Sequence, residues 1–147
     1  MKKLLVLIMI TVLTWNCFSQ SIGDNTIIVK NLNTDISGFN SIKKVLINSG
    51  YSIIKTDEEI GYILTDYKPF EGSTIAIEPL ANITIMFDNN SIKLYSNYKF
   101  KGSQAFGGEY SGRADFQKRK NVGRRLAFDE MVKLSQKLGT NIEYKLE

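Results

Sequence analysis

Residues 37–67 combine a helical pattern, a stop and a strand pattern in close succession, and this combination constrains the fold more than any other feature. Ser37 is predicted to cap the helix, because its hydroxyl can accept a hydrogen bond from an amide of the first turn. Gly50 is predicted to end the helix, since glycine adopts the left-handed conformation at low steric cost. The apolar stripe between them follows helical spacing and contains Phe39, Ile42, Val45 and Leu46.

After this glycine the sequence pattern changes to a period of two residues. This period predicts a strand with Ile53 and Lys55 on one face. The acidic residues 57–59 are predicted to turn the chain, and residues 61–67 to return as a second strand with Ile63 on one face. A lone helix of this length is marginal in water. It is therefore predicted to pack on a sheet made partly by these two strands.

A hairpin is predicted around the polar residues 88–91, because asparagine tolerates the positive φ that short hairpin turns require. The alternation on either side places Phe87 opposite Ile92, and Ile85 opposite Leu94. The residues between these apolar positions are predicted to face water.

The same patterns predict strands at residues 26–30, 74–78 and 141–146, and a loop in the glycine-rich stretch 101–112. A second amphipathic helix before Gly139 is predicted from apolar residues at steps of four, three and four: Ala127, Met131, Leu134 and Leu138. The order β-α-β(4–5)-α-β predicts an α+β fold, with an antiparallel sheet and two helices packed on one face.

Lys2 and Lys3 precede an apolar run, and this order is typical of a secretory signal peptide. The run is shorter than the roughly 20 residues of an ordinary membrane-spanning helix. Residues 1–19 are therefore predicted to be a signal peptide cleaved after Ser19, and residues 20–147 a single exported domain, periplasmic or secreted.

Cys17 is the only cysteine, and the chain has no histidine. If Cys17 is lipidated, the protein is an outer-membrane lipoprotein and contacts the membrane, although Thr14 and Asn16 fit that pattern poorly. Otherwise the mature chain has neither thiol nor imidazole. Ser-His and Cys-His nucleophile pairs and nearly all zinc sites are then excluded, and no catalytic residue, cofactor or metal ligand is predicted.

Two alternative functions stay open. Glu58, Glu59 or Asp66 could serve a carboxylate-dependent hydrolase of envelope polysaccharide, provided that two carboxylates face each other across a cleft. A lipid or small-ligand carrier would instead need a cavity between helices and sheet. The residues predicted to line that cavity are Phe39, Ile42, Ile85 and Met131.

A basic group near the start of the second helix is the candidate site for an anionic partner. Cations at a helix start oppose the macrodipole at a cost of about 0.3–1 kcal/mol each, although a charge run is also typical of a solvated face. The group comprises Lys118, Arg119, Lys120, Arg124 and Arg125. Lys93, Tyr95, Tyr98 and Lys99 are predicted to extend it along the sheet.

The balance of charge does not favour a nucleic-acid partner. Of 19 basic residues, the two lysines of the leader are removed, which leaves 17 against 15 acidic residues. Such a small excess does not indicate nucleic-acid binding. An envelope protein or an anionic envelope surface is the predicted partner.

A helix ending in glycine, a strand, an acidic turn with Ile-Gly and a strand ending in Thr-Asp follow one another in the central stretch. The residues of this pattern are Leu46, Ser49, Gly50, Tyr51, Asp57, Ile60, Gly61, Tyr62, Ile63, Thr65 and Asp66. The arrangement resembles exported bacterial modules of the TATA-box-binding-protein-like or helix-grip type, such as domains of the outer-membrane assembly lipoprotein BamC. The resemblance implies a β-α-β(4)-α plan, from which the last predicted strand departs. It also implies a non-enzymatic binding or assembly module of the bacterial cell envelope, with no site residues to transfer.

Overall fold

The computed structural model describes residues 20–69, 79–100, 110–118 and 123–147. The predicted signal peptide and the predicted strand at residues 74–78 lie outside these ranges. Within them the chain forms eight strands and two helices: β1 (Thr26–Lys30), α1 (Ile36–Asn48), β2 (Ile53–Asp57), β3 (Tyr62–Thr65), β4 (Lys68–Pro69), β5 (Pro79–Asp88), β6 (Ser91–Phe100), β7 (Tyr110–Arg113), α2 (Gly123–Leu138) and β8 (Ile142–Lys145).

The strands form one antiparallel sheet in the order β2-β3-β5-β6-β1-β8, which confirms the predicted α+β class. The short strands lie beside the central pair, β4 on β5 and β7 on β6. The central pair is the predicted hairpin, in which Phe87 pairs with Ile92 and Ile85 with Leu94. Asn89 adopts a φ of 47° in its turn, as the sequence pattern requires.

The N-cap of α1 is Asp35, so the prediction of Ser37 is wrong. The Asp35 carboxylate accepts a hydrogen bond from the backbone N–H of Gly38 at 2.9 Å. Its own N–H donates to Asn33 Oδ1 at 3.1 Å, which fixes the turn before the helix. An ionised carboxylate also interacts favourably with the positive helix start. Gly50 follows the C-cap with a φ of 81°, as predicted.

A β-bulge interrupts the predicted alternation in β2. Ile53 pairs with Thr65, but Lys55 pairs with Leu64, so Ile54 is the extra residue. The bulge moves Lys55 to the face opposite Ile53, and the prediction that both share one face is wrong. The side chain of Ile54 is 59% exposed as a result.

One further boundary differs from the sequence prediction. Residues 110–113 form β7 against Phe100 and its neighbours in β6, where the sequence predicted the end of a loop. Pro79 is the first residue of β5. A proline is tolerated there because the first residue of a strand need not donate to the ladder.

One hydrophobic cluster joins the helices to the sheet. Ile42 and Leu134 are only 4% and 2% exposed, which confirms that the predicted helical stripes are buried. Placement of both helices on one face stays a prediction that this shared cluster supports. The cluster includes Phe39, Ile42 and Leu46 from α1, Ala127, Phe128, Met131 and Leu134 from α2, and Ile27, Val29, Ile63, Ile83, Ile85, Ile92 and Leu94 from the strands.

Candidate functional site: the outer face of the sheet

The strand residues that alternate with the core cluster form what we call the outer face of the sheet. Successive side chains of a strand point to opposite faces, and directly paired residues of neighbouring strands share a face. The register therefore places the following residues together: Lys55, Asp57, Tyr62, Leu64, Asn82, Thr84, Met86, Lys93, Tyr95, Asn97 and Lys99.

Two rows of mixed character cross the middle of this face. In one row, Tyr62 pairs with Met86, which in turn pairs with Lys93. Met86 is 42% exposed there, an unusual position for a large apolar side chain in the middle of a sheet. The neighbouring row runs from Lys55 through Leu64, Thr84 and Tyr95.

Tyrosine rings hold two lysine ammonium groups close to the outer face. Lys99 Nζ lies 4.1 Å from the ring centroid of Tyr67, and Lys55 Nζ lies 5.8 Å from that of Tyr62. Each contact stabilises the cation by about 0.5–1 kcal/mol at an exposed site. The positive charges therefore lie beside aromatic surface, and solvent still reaches both lysines.

A carboxylate cradle lies at the β1 side of the same face, and Glu147 occupies it. Tyr95 Oη donates to Glu147 Oε2 at 2.9 Å, and Lys93 Nζ lies 3.4 Å from Oε1. The guanidinium of Arg113 stacks 4.6 Å from the Tyr95 ring centroid and donates to the backbone carbonyl of Glu147 at 3.4 Å. Asn25 exchanges two hydrogen bonds with the backbone of the same residue.

The cradle shifts the ionisation of both residues at its centre. The hydrogen bond from Tyr95 lowers the pKa of Glu147 below its ordinary value of 4.5, and the charge of Lys93 adds to this effect. Burial raises the pKa of Tyr95, and its hydrogen bond to Glu147 acts in the same direction. The carboxylate stays ionised and the phenol stays protonated, so the bond persists at neutral pH.

The structure gives Arg125 of the basic group an internal role. Its Nε lies 2.7 Å from Asp129 Oδ1, and its Nη1 donates to the carbonyl of Gln117 at 2.8 Å. The guanidinium also stacks on Phe116, with Cζ 3.9 Å from the ring centroid. Since this side chain is only 13% exposed, it fastens the segment before α2 to the helix and offers little to a partner.

Two other members of the basic group are described, and both are exposed. Arg124 Nη1 lies 3.6 Å from Asp115 Oδ2, and its side chain is 51% exposed. Lys118 is exposed. Arg119 and Lys120 lie outside the described residues. Arg124 and Lys118 are thus the described members of the group that solvent reaches.

The structure does not join the described part of the basic group to the strand residues predicted to extend it. The start of α2 lies against Phe100, since a Cβ placed on Gly123 would come within 1.5 Å of its ring. Phe100 and Lys99 point to opposite faces of β6. Tyr98 also points away from the outer face, with its ring 5.3 Å from that of Phe100. The strand residues Lys93, Tyr95 and Lys99 therefore lie on the face of β6 opposite Phe100 and the start of α2. The basic group as a partner site stays a prediction.

The acidic residues of the hydrolase alternative have roles in turns. Asp57 Oδ1 accepts two backbone N–H groups of the β2–β3 turn, at 3.1 and 3.3 Å. Glu58 forms an exposed ion pair with Lys43 at 3.2 Å, and Glu59 is exposed. Asp66 accepts the next backbone N–H at 2.7 Å. Among the described residues, no three metal-binding side chains lie close enough to hold an ion.

The residues of the carrier alternative are packed in the core. Phe39, Ile42, Ile85 and Met131 are each between 0% and 4% exposed. The Phe39 ring lies 5.0 Å from that of Phe87, which closes the space over β5. Ile42 alone of the four reaches one of the three surface cavities described, a cavity of about 230 Å³ beside α1. These contacts favour a packed interior.

Sequence reasoning missed Arg113, Tyr62, Tyr67 and Lys55 as members of this surface. Arg113 follows a glycine-rich stretch, and the short alternation of residues 110–113 was the only signal that a strand begins there. The other three depend on how β3 pairs with β5 and on the bulge in β2, neither of which is a local pattern.

Comparison with protein-family models gives no match to this chain, and a search of curated proteins gives none either. In the part of the chain that the structure describes, neither helix has the length and apolar character needed to cross a membrane.

Proposed function

We propose that the protein is an exported, non-enzymatic binding module of the bacterial cell envelope that contacts an acidic protein through the outer face of its sheet. One observation is central to this proposal: tyrosine and lysine side chains lie in adjacent rows across β3, β5 and β6, together with the exposed Met86. The sequence features of the leader support export. The absence of histidine, with the only cysteine in the leader, supports a role without catalysis.

The composition of the outer face favours a protein partner over a lipid surface. Protein interfaces are enriched in tyrosine and methionine at their centre, which suits Tyr62 and Met86. Surface attachment to lipid typically uses an amphipathic helix that inserts apolar side chains below the head groups. Here the apolar side chains lie within a sheet, flanked by Lys55 and Lys99.

The sign of the charge favours an acidic partner. Lys55 is exposed, and Lys99 remains partly exposed on its tyrosine ring. Complementary charge mainly accelerates encounter and orients the partner, while buried aromatic and apolar contacts supply most of the affinity. We therefore expect binding that weakens as salt is raised.

The test places a photo-crosslinking amino acid at Met86 in cells and identifies the crosslinked protein by mass spectrometry. The crosslink is then repeated with the double variant Lys55→Glu/Lys99→Glu. A matched control, Lys44→Glu/Lys118→Glu, reverses two exposed lysines of α1 and the α2 approach and changes the net charge equally. We expect one acidic protein to be captured, to be lost in the first variant and to be retained in the control.

Three results would overturn the proposal. Equal capture by both double variants would show that the outer face does not recognise the partner. Loss in the control alone would move the contact to the helix layer, in agreement with the basic group predicted from the sequence. Cosedimentation with vesicles that contain phosphatidylglycerol, lost in Lys55→Glu/Lys99→Glu, would replace the protein partner by a lipid surface. Export is tested separately by mass spectrometry of the mature amino terminus, expected at Gln20.

A further inference from the structure

A surface cavity of about 370 Å³ lies between the end of α1 and the second half of α2. It falls within the range of roughly 300–1,000 Å³ typical of small-ligand sites. It belongs to neither the outer face nor the carboxylate cradle. The charged and hydroxyl-bearing residues of its lining are Ser49, Tyr51, Lys68, Glu130, Lys133 and Lys137.

In this cavity, two lysine ammonium groups converge on Ser49. Lys68 Nζ donates to the carbonyl of Ser49 at 2.7 Å, and Lys137 Nζ donates to its hydroxyl at 3.1 Å. Lys68 comes from β4 and Lys137 from the last turn of α2, so the tertiary fold brings the two like charges together. Like charges at such a site repel each other, and an anion between them would remove that repulsion.

The charges nearby leave a positive excess. Lys133 and Glu130 neutralise each other, since their charged atoms lie 2.6 Å apart. The carbonyl ends of α1 and α2 each contribute about half a negative charge, since Lys137 lies in the last turn of α2. Against the two remaining ammonium groups, the excess is therefore about one positive charge.

The pocket also retains hydrogen-bond donors. An ammonium group has three N–H bonds, and the bonds described to Ser49 use one on each lysine. Tyr51 forms part of the wall, with its ring centroid 4.8 Å from Lys68 Nζ. Burial raises the pKa of Tyr51 well above its ordinary value of 10.0, and the charge of Glu130 adds to the shift. The phenol is therefore a protonated donor at neutral pH.

We propose that this pocket binds a phosphate group, supplied by a small phosphorylated molecule. A phosphate monoester carries about −1.5 to −2 charge at neutral pH and three acceptor oxygens. That charge is enough to neutralise the excess in the pocket, and the three oxygens can accept from Lys68, Lys137 and Tyr51 together, whereas a carboxylate offers only two oxygens. Lys68 and Lys137 hold two of the oxygens, and the volume leaves room for the attached group.

The experiment is a heteronuclear NMR titration of the purified protein with inorganic phosphate and, in a separate arm, with glycerol 3-phosphate, a small phosphate monoester. Sodium chloride at matched ionic strength is the reference. We expect saturable shifts at the amides of Ser49, Gly50 and Lys137 with the phosphates only. Tighter binding of glycerol 3-phosphate would show that the pocket also recognises the attached group of a small phosphorylated molecule, and equal binding would identify free phosphate.

Lys137→Gln and Lys44→Gln remove the same charge, but Lys44 is exposed on α1 and does not line the pocket. Loss of a charge-assisted hydrogen bond weakens binding by about tenfold or more. We therefore expect Lys137→Gln to raise the Kd for phosphate by about that factor, with Lys44→Gln unchanged. Both residues are exposed, so both variants should keep the dispersed spectrum of the folded protein.

Shifts that do not saturate, or that chloride reproduces, would overturn the phosphate site. So would the same Kd in Lys137→Gln and Lys44→Gln. This result is independent of the proposed acidic partner, because none of the residues concerned lies on the outer face.

Discussion

The hydroxyl of Tyr95 donates a hydrogen bond to the carboxylate of Glu147 at 2.9 Å, across 52 positions of the chain. This bond joins the middle of β6 to the residues that follow β8, on the far side of β1. Lys93 and Arg113 surround it with positive charge. The cradle thereby fastens the β8 edge of the sheet to its centre.

The first prediction concerns how the free energy of unfolding changes as the pH is lowered. Glu147 has a lowered pKa in the fold, so its carboxylate stabilises the folded state above its ordinary pKa of 4.5. This contribution is lost as the pH falls through the lowered folded-state pKa. Urea unfolding of the protein and of Glu147→Gln across this range should therefore show a difference in free energy at neutral pH that shrinks in acid.

Glu59→Gln is the matched control, because Glu59 is exposed in the β2–β3 turn. It removes the same charge and should leave the pH dependence of unfolding unchanged. A difference between wild type and Glu147→Gln that stays constant down to strong acid would contradict the role assigned to this carboxylate.

The second prediction isolates the contribution of the Tyr95 hydroxyl, which donates the hydrogen bond to Glu147. Tyr95→Phe keeps the ring under Arg113 but removes the hydroxyl, so the pKa of Glu147 should rise towards its ordinary value. Stability should fall by about 1 kcal/mol, the usual net contribution of one hydrogen bond. A carboxylate-detected NMR titration measures the pKa of Glu147. If this pKa keeps its wild-type value in Tyr95→Phe, the charge of Lys93 rather than the hydroxyl controls it.

The third prediction distinguishes two candidate caps of α1. Asp35 accepts the N–H of Gly38 in the structure, whereas Ser37 lies inside the first turn. Asp35→Ala should therefore lower the melting temperature, since an orphan amide and the helix dipole both lose their partner. Ser37→Ala should change it little. Equal effects of the two substitutions would mean that the serine shares the capping role.

Features that depend on neighbouring residues could be predicted from the sequence. The β5–β6 hairpin was predicted with its pairs because the turn at Asn89 and the alternation around it lie within one short stretch. The same holds for the end of α1 at Gly50. In these elements the local pattern and the tertiary packing agree, so the pattern alone was sufficient.

The carboxylate cradle could not be predicted in this way. Tyr95, Arg113 and Glu147 come from three distant segments, and only the antiparallel order of β6, β7, β1 and β8 brings them together. The bulge at Ile54 has no sequence signal beyond the run of alternating residues that it interrupts. The internal role of Arg125 could not be predicted for a related reason: a charge run does not reveal that this side chain is held by Phe116 and a neighbouring carboxylate.

The last prediction concerns Gly38 in α1, where replacement of glycine by alanine is expected to destabilise the fold instead of stabilising it. Glycine to alanine in a helix normally stabilises it by about 1 kcal/mol. Here a Cβ on Gly38 would lie 1.8 Å from the backbone oxygen of Asn33. That oxygen belongs to the turn held by the Asp35 cap, so it cannot move without loss of the cap. Gly38→Ala should therefore lower stability by about 1–3 kcal/mol, as an overpacked core site does.

Ser41→Ala serves as the control, since Ser41 is exposed one turn later on the same helix. Its melting temperature should stay close to that of the wild type, because alanine favours the helix while one exposed hydrogen bond is lost. A Gly38→Ala protein as stable as the wild type would mean that the turn at Asn33 relaxes freely. In that case the cap and the turn are not coupled, and the Asp35→Ala effect must come from the helix start alone.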